Sequence, residues 1–284
     1  MHLPAISLSS GGLSLIELAH LEKVFTEFGL SDPVAHASLR LLLERLLIRV
    51  LSEASSGILL SPEESFHLID YLEGSAGLLL SLEKNQLQPN LRSVPSLVQN
   101  WSVEHVRGNY AVASFELFYN PKEPEVVTKL QLLSELAEAC KLHNIAFLVK
   151  LIVFPLAGED QNLFDTQFTA LAEVRGYCDA LGVEFFEDPL HAATITTQLD
   201  IPWLVLERNV PYSVAKETIR TGVENGARGF LVSDILWFDF VERLEGAEVT
   251  PALLEQYVQG TVRDRILELN RILNEAVLTN DQLP

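Results

Sequence analysis

The stretch VVTKLQLLSELAEACKLHNIAFLVKLIVFP, residues 126–155, contains in thirty residues the pattern that decides the fold. Its first part, 126–142, is rich in Leu, Glu and Ala, which lose little freedom in a helix, and its apolar positions recur at helical spacing. Its second part, 146–154, is a short apolar run stopped by Pro155, which cannot donate to a strand ladder. Similar runs recur at 4–8, 57–60, 77–82, 111–118, 183–186, 203–206 and 229–232, with helical stretches such as 34–53 between them. Apolar runs alternating with amphipathic helices imply parallel strands covered by helices on the outside. With 146–154 the runs number eight, which closes a (β/α)8 barrel of the TIM type, and 284 residues suit one such domain over 1–284. A final helix is expected over 251–277.

Composition narrows the partners. Twenty Lys and Arg stand against 39 Asp and Glu, a net charge of -19, so nucleic acid and anionic membranes would be repelled. Cys140 and Cys178 fall on expected helices without CxxC spacing, the usage of a reduced intracellular protein. The start, MHLPAISLSSGG, lacks the basic and long apolar segments of a secretory signal, and no run reaches the length of a membrane span. A soluble, cytoplasmic protein is expected.

Pro62, Pro121, Pro155 and Pro189 follow expected strands two, four, five and six and turn the chain into loops on one face. Strand parity selects the inward side chains. Ser114, Glu116 and Phe118 share a parity in strand four, as do Leu148, Lys150 and Ile152 in strand five. Lys150 is the single charged residue in its run; desolvation there would lower its pKa, the condition of a nucleophilic lysine. The plainer reading is a buried ion pair with Glu116 and Glu187.

The segments SSGILLSPE (55–63) and AGLLLSLEK (76–84) resemble strands two and three of the tagatose 1,6-bisphosphate aldolase family. The likeness continues through WSVE (101–104) into ASFELFY (113–119), and PWLV (202–205) and ARGFLVSDILW (227–237) resemble the last two strands. The resemblance implies a class I aldolase, which holds a keto sugar phosphate as a Schiff base on a barrel lysine and splits it in two. That chemistry needs a neutral amine, a carboxylate to move protons, and anion sites at the strand ends. No cofactor is expected.

At the positions matched to the family, this chain differs. Phe185 stands where the family has its Schiff-base lysine, while Glu187 matches the glutamate two residues on. Ser9, Ser10 and Gly11 replace an Asp-Gln-Arg type of motif, Ser61 replaces an aspartate, and Ser114 a lysine. Ser233-Asp234 replaces a phosphate-holding Gly-Arg pair. Three readings follow. In the first, a carbon–carbon lyase acts on a keto sugar, its phosphate or a keto acid through Lys150, with Glu187 or Glu116 moving protons. Ser9, Ser10, Glu83, Lys84, Ser114, Arg208, Asn209, Ser233 and Asp234 would then contact the small-molecule ligand. In the second, the chain is an inactive homologue that binds a metabolite. In the third, Glu116, Glu187, Glu207 and Asp234 support divalent-metal lyase chemistry, although no metal ligand set is assigned. Among the histidines, His191 lies closest to the expected active face. Barrels of this kind often pair through their outer helices, so a homo-oligomer is expected.

Overall fold

The computed structural model describes residues 3–84, 91–156, 162–184, 188–244 and 246–280. Eight parallel strands close into a barrel in sequence order. They are β1 (Leu13–Glu17), β2 (Gly57–Leu60), β3 (Gly77–Ser81), β4 (Val112–Tyr119), β5 (Phe147–Val153), β6 (Ala180–Val183), β7 (Trp203–Glu207) and β8 (Gly229–Val232). The stretch 126–142 is helical throughout, and the final helix runs Pro251–Tyr257, a π turn Val258–Val262, then Arg263–Asn280. Among the described residues no helix is long and apolar enough to cross a membrane.

Two strands lie elsewhere than the sequence suggests. The run at 4–8 is not β1: Pro4–Ile6 forms a single 3-10 turn, and the first strand is Leu13–Glu17. Proline removes a ladder donor at 4, whereas Leu13, Leu15 and Glu17 alternate with Ser14 and Ile16 and pair with both β2 and β8. β6 lies three residues earlier than expected, so Glu184 rather than Glu187 follows its end. Cys178 precedes β6 in extended backbone and is not helical; both cysteines are free thiols.

Alternation divides the core in two. Leu13, Leu15, Leu59, Leu79, Val112, Leu148, Ala180, Leu204 and Leu231 fill the barrel interior. Ile16, Ile58, Phe115, Phe147, Val149, Leu181, Val205 and Phe230 face the helices. The 3-10 turn closes the N-terminal mouth, with Ile6 packed into the inner core. Its backbone approaches β3 so closely that a Cβ on Gly77 would stand 1.9 Å from the Ala5 carbonyl oxygen, so only glycine fits there.

At the other mouth, a buried cation ties the loops beyond β3 and β4 to the end of β4 itself. Lys129, from the helix Val126–Leu142, is wholly buried and donates to Glu123 Oε2 at 2.8 Å, the Phe118 carbonyl at 2.8 Å and the Leu91 carbonyl at 2.9 Å. Asn120 extends the staple by donating to the Phe154 carbonyl at 2.7 Å. All three protons of the ammonium are used, which is what allows a charge to be held so deep. Lys129→Ala leaves Glu123 buried without its counter-charge and is expected to lower stability by about 3–5 kcal/mol in urea unfolding. Lys129→Met combined with Glu123→Leu is expected to recover most of that loss.

Candidate functional site

The C-terminal ends of the strands bring an unusual density of charge into the barrel mouth. Inward parity continues past the apolar layer to Glu17 on β1, Glu83 beyond β3, Glu116 on β4, Lys150 on β5, Glu184 beyond β6 and Arg208 beyond β7. The two cations bind the carboxylates in a chain. Lys150 Nζ lies 2.7 Å from Glu17 Oε1 and 3.2 Å from Glu116 Oε2. Arg208 Nη1 lies 3.2 Å from the same Glu116 oxygen, and its Nε donates to Glu184 at 3.0 Å. Glu116 and Lys150 are direct partners in the β4–β5 register, so neighbouring inward positions create the pair.

A cleft of about 460 Å³ opens above this chain, between β1, β4, β7 and β8. Glu17, Glu116, Glu184 and Arg208 form its floor, and His20, Lys23, Glu27, Asn209, Ser233, Asp234, Phe118 and Trp237 its walls. Lys150 is not among them. It is 1% exposed and lies behind Glu17 and Glu116. Burial disfavours its ammonium, but Glu116, Glu17 and Glu83 together outweigh burial and hold its pKa above the ordinary lysine value. The lowered pKa expected from the apolar run is therefore reversed, because the inner neighbours of Lys150 are carboxylates from other strands. Burial would raise the Glu17 carboxyl, yet Lys150 and His20 hold it below the usual range.

Glu83 behaves differently. Its Oε2 is buried without a hydrogen-bond partner among the described residues. Burial first, then the charges of Glu116 and Glu17, outweigh the pull of Lys150 and raise it to about 7. Beneath it the hydroxyls of Ser81 and Ser114, register partners on β3 and β4, are also buried without partners among the described residues.

The other expected site residues divide by position. Arg208, Asn209, Ser233 and Asp234 line the cleft, and Ser114 lies inside the barrel below Glu116. Ser9 and Ser10 do not reach this face: they precede β1, where Ser9 borders a separate hollow at the N-terminal mouth and Ser10 donates to Asn274 at 2.6 Å. The misplaced first strand explains the error. Lys84 lies outside the cleft walls, its backbone N–H bonded to the Ser96 carbonyl at 2.8 Å. Glu187 and Phe185 lie outside the described residues. His191 is buried against Phe164 and Phe168, away from the cleft. Glu207 has the parity of Trp203 and Val205, which face the helices, so it is not grouped with Glu116. Among the described residues no group of three or more His, Cys, Asp or Glu is placed to hold a metal ion.

Glu17, His20, Lys23, Glu27 and Glu184 are site residues that sequence reading missed. Alternation in LSLIE (13–17) was the available signal for Glu17, since it falls two residues beyond inward Leu15. Lys23 and Glu27 come from the short helix Leu21–Glu27, and nothing local marks that helix as lying over the mouth.

Fold and mouth together make this a closed (β/α)8 barrel with a charge-paired, carboxylate-rich C-terminal cleft. No protein-family model matches the chain. It is 24% identical over 275 residues to tagatose 1,6-diphosphate aldolase 1 of Streptococcus mutans, covering 81% of both chains. Against the enzyme of the same name from Enterococcus faecalis it is 24% identical over 277 residues, covering 82% of both. An archaeal fructose 1,6-bisphosphate aldolase shares the fold with a TM-score of 0.65 and 16% identity, over 95% of this chain and 96% of that one. A Schiff-base-forming fructose-1,6-bisphosphate aldolase does so with a TM-score of 0.58 and 17% identity, over 90% of this chain and 96% of that one.

Two outcomes are expected from the charge chain. Lys150→Met removes the ammonium that Glu17 and Glu116 share, and is expected to cost about 3–5 kcal/mol in denaturant unfolding. Glu83 titrates near 4.5 when unfolded and at about 7 when folded, so between those pH values the folded chain keeps a proton that the unfolded chain has released. Stability contributed by this group therefore falls as pH rises through that window. The Tm advantage of Glu83→Gln over the parent is expected to grow from about pH 4.5 to 7 and level off above it.

Proposed function

We propose that this barrel is a metabolite-binding homologue of the class I aldolases in which Schiff-base turnover has been given up. The observation that carries the reading is the closed pairing of Lys150 with Glu17 and Glu116, out of reach of the cleft. A Schiff base forms from a neutral amine that touches a carbonyl carbon, and an ammonium held by two carboxylates meets neither condition. The ligand is a small, hydroxyl-rich compound such as an unphosphorylated ketose. Glu17, Glu27, Glu116, Glu184 and Asp234 surround the cleft against Lys23 and Arg208, a balance that opposes a bisphosphate and suits hydroxyl donors.

Glu83 favours a second reading, a carbon–carbon lyase. A carboxyl that titrates at about 7 near Lys150 is suited to give and take protons at neutral pH during turnover, together with Glu116 or Glu187. One experiment separates the two. The protein is incubated with ketoses, ketose phosphates and keto acids, reduced with borohydride, and mapped by mass spectrometry. No adduct on Lys150 is expected, together with saturable binding of an unphosphorylated ketose in calorimetry; an adduct on Lys150 with any carbonyl compound establishes the lyase instead.

A further inference from the structure

Asp234 occupies a position that is built for an anion. It lies one residue past Ser233 in the loop after β8, is 1% exposed, and faces the cleft wall. Donors from three directions converge on its carboxylate. The Asn209 backbone N–H reaches both oxygens, at 3.0 and 3.1 Å, from the loop after β7. Lys23 Nζ approaches Oδ2 at 2.7 Å from the short helix after β1, and Ser233 Oγ lies 3.3 Å from Oδ1. Asn209 adopts φ 57°, the left-handed conformation that asparagine tolerates better than most residues, and this turns its N–H toward Asp234. Lys23 is fixed in place by Asn209 Oδ1 at 2.7 Å and Glu27 Oε1 at 3.6 Å.

A backbone N–H, an ammonium and a hydroxyl gathered between the loops after the seventh and eighth strands are the donors by which barrels of this architecture receive a phosphate. Here every one of them is spent on a side chain of the protein itself. We propose that Asp234 is an internal anion that fills this receptor, so that residue 234 sets specificity by rejecting phosphorylated ligands. A phosphate arriving there meets a buried negative charge in place of free donors, with Glu27 adding to the repulsion. Removal of the carboxylate leaves Lys23, Asn209 N–H and Ser233 Oγ facing an opening of the size of the lost group. The inference rests on the cleft being the ligand site, but it concerns only the chemical class admitted at this end of it.

The test is titration with inorganic phosphate by calorimetry at constant ionic strength, on the parent chain, Asp234→Ala, Asp234→Ser, and Asp234→Ala combined with Lys23→Met. The parent is expected to show no saturable binding, the two single variants to bind phosphate at least about tenfold more tightly, and the double variant to lose that gain. Folding of each variant is checked by thermal unfolding, and Asp234→Ser keeps a small polar group should the alanine prove unstable. Folded single variants that gain no phosphate binding overturn the proposal. Saturable phosphate binding by the parent that disappears in Lys23→Met also overturns it, whether or not the Asp234 variants fold. Failure of the parent to bind any ketose would count against the proposed ligand and leave the phosphate result intact.

Discussion

One ammonium holds the mouth of this barrel together. Lys150 projects inward from β5 and meets Glu17 from β1 and Glu116 from β4, which lie on different sides of the ring. Without it the inward parity of those strands would direct two carboxylates into a space with little water, and their repulsion would be unscreened. Once Lys150 is paired, Glu116 has an oxygen facing Arg208, and Arg208 in turn reaches Glu184 beyond β6. The chain of alternating charge thus crosses the barrel from β1 to β6, resting on the apolar layer of Leu15, Leu59, Leu79, Leu148, Leu204 and Leu231.

In the reading proposed for this barrel, the same interaction limits the chemistry. An aldolase-type barrel needs one amine that is free, neutral and in contact with substrate. The carboxylates that make the burial of Lys150 tolerable are also what keep its proton on and screen it from the cleft. Structural compensation and nucleophilic reactivity oppose each other at this residue. Among the described residues Glu83 is an inward carboxylate left out of the pairing, and it responds by holding a proton at higher pH.

A second pattern runs through the C-terminal face: this chain satisfies its ammonium donors internally. Lys129 spends its protons on Glu123, the Phe118 carbonyl in β4 and the Leu91 carbonyl in the loop beyond β3, and Lys23 spends its own on Asn209, Asp234 and Glu27. The first, with Asn120 donating to the Phe154 carbonyl, fixes the loops beyond β3, β4 and β5 against each other, and the second joins the loops beyond β7 and β8 to the helix after β1. The cleft between them keeps hydrogen-bond acceptors in excess of donors, which agrees with its carboxylate-rich lining.

Much of the fold was legible in the residues. Period and composition gave the strands β2, β3, β4, β5, β7 and β8 to within a residue or two, together with the helix at 126–142, because buried parallel strands are short apolar runs and outer helices carry an apolar stripe. Parity placed Glu116 and Lys150 side by side before any coordinates, since that relation is local to two neighbouring strands. β1 was misread because PAISL is as apolar as LSLIE, and only pairing with β2 and β8 distinguishes a strand from a plug. That single shift hid Glu17 and sent Ser9 and Ser10 to the wrong mouth. The sequence by itself therefore determined the barrel and the inward position of Lys150. Tertiary structure alone decided what Lys150, Arg208 and Asp234 touch, because their partners come from strands and helices distant in the chain, and it is those partners that set charge and access at the mouth.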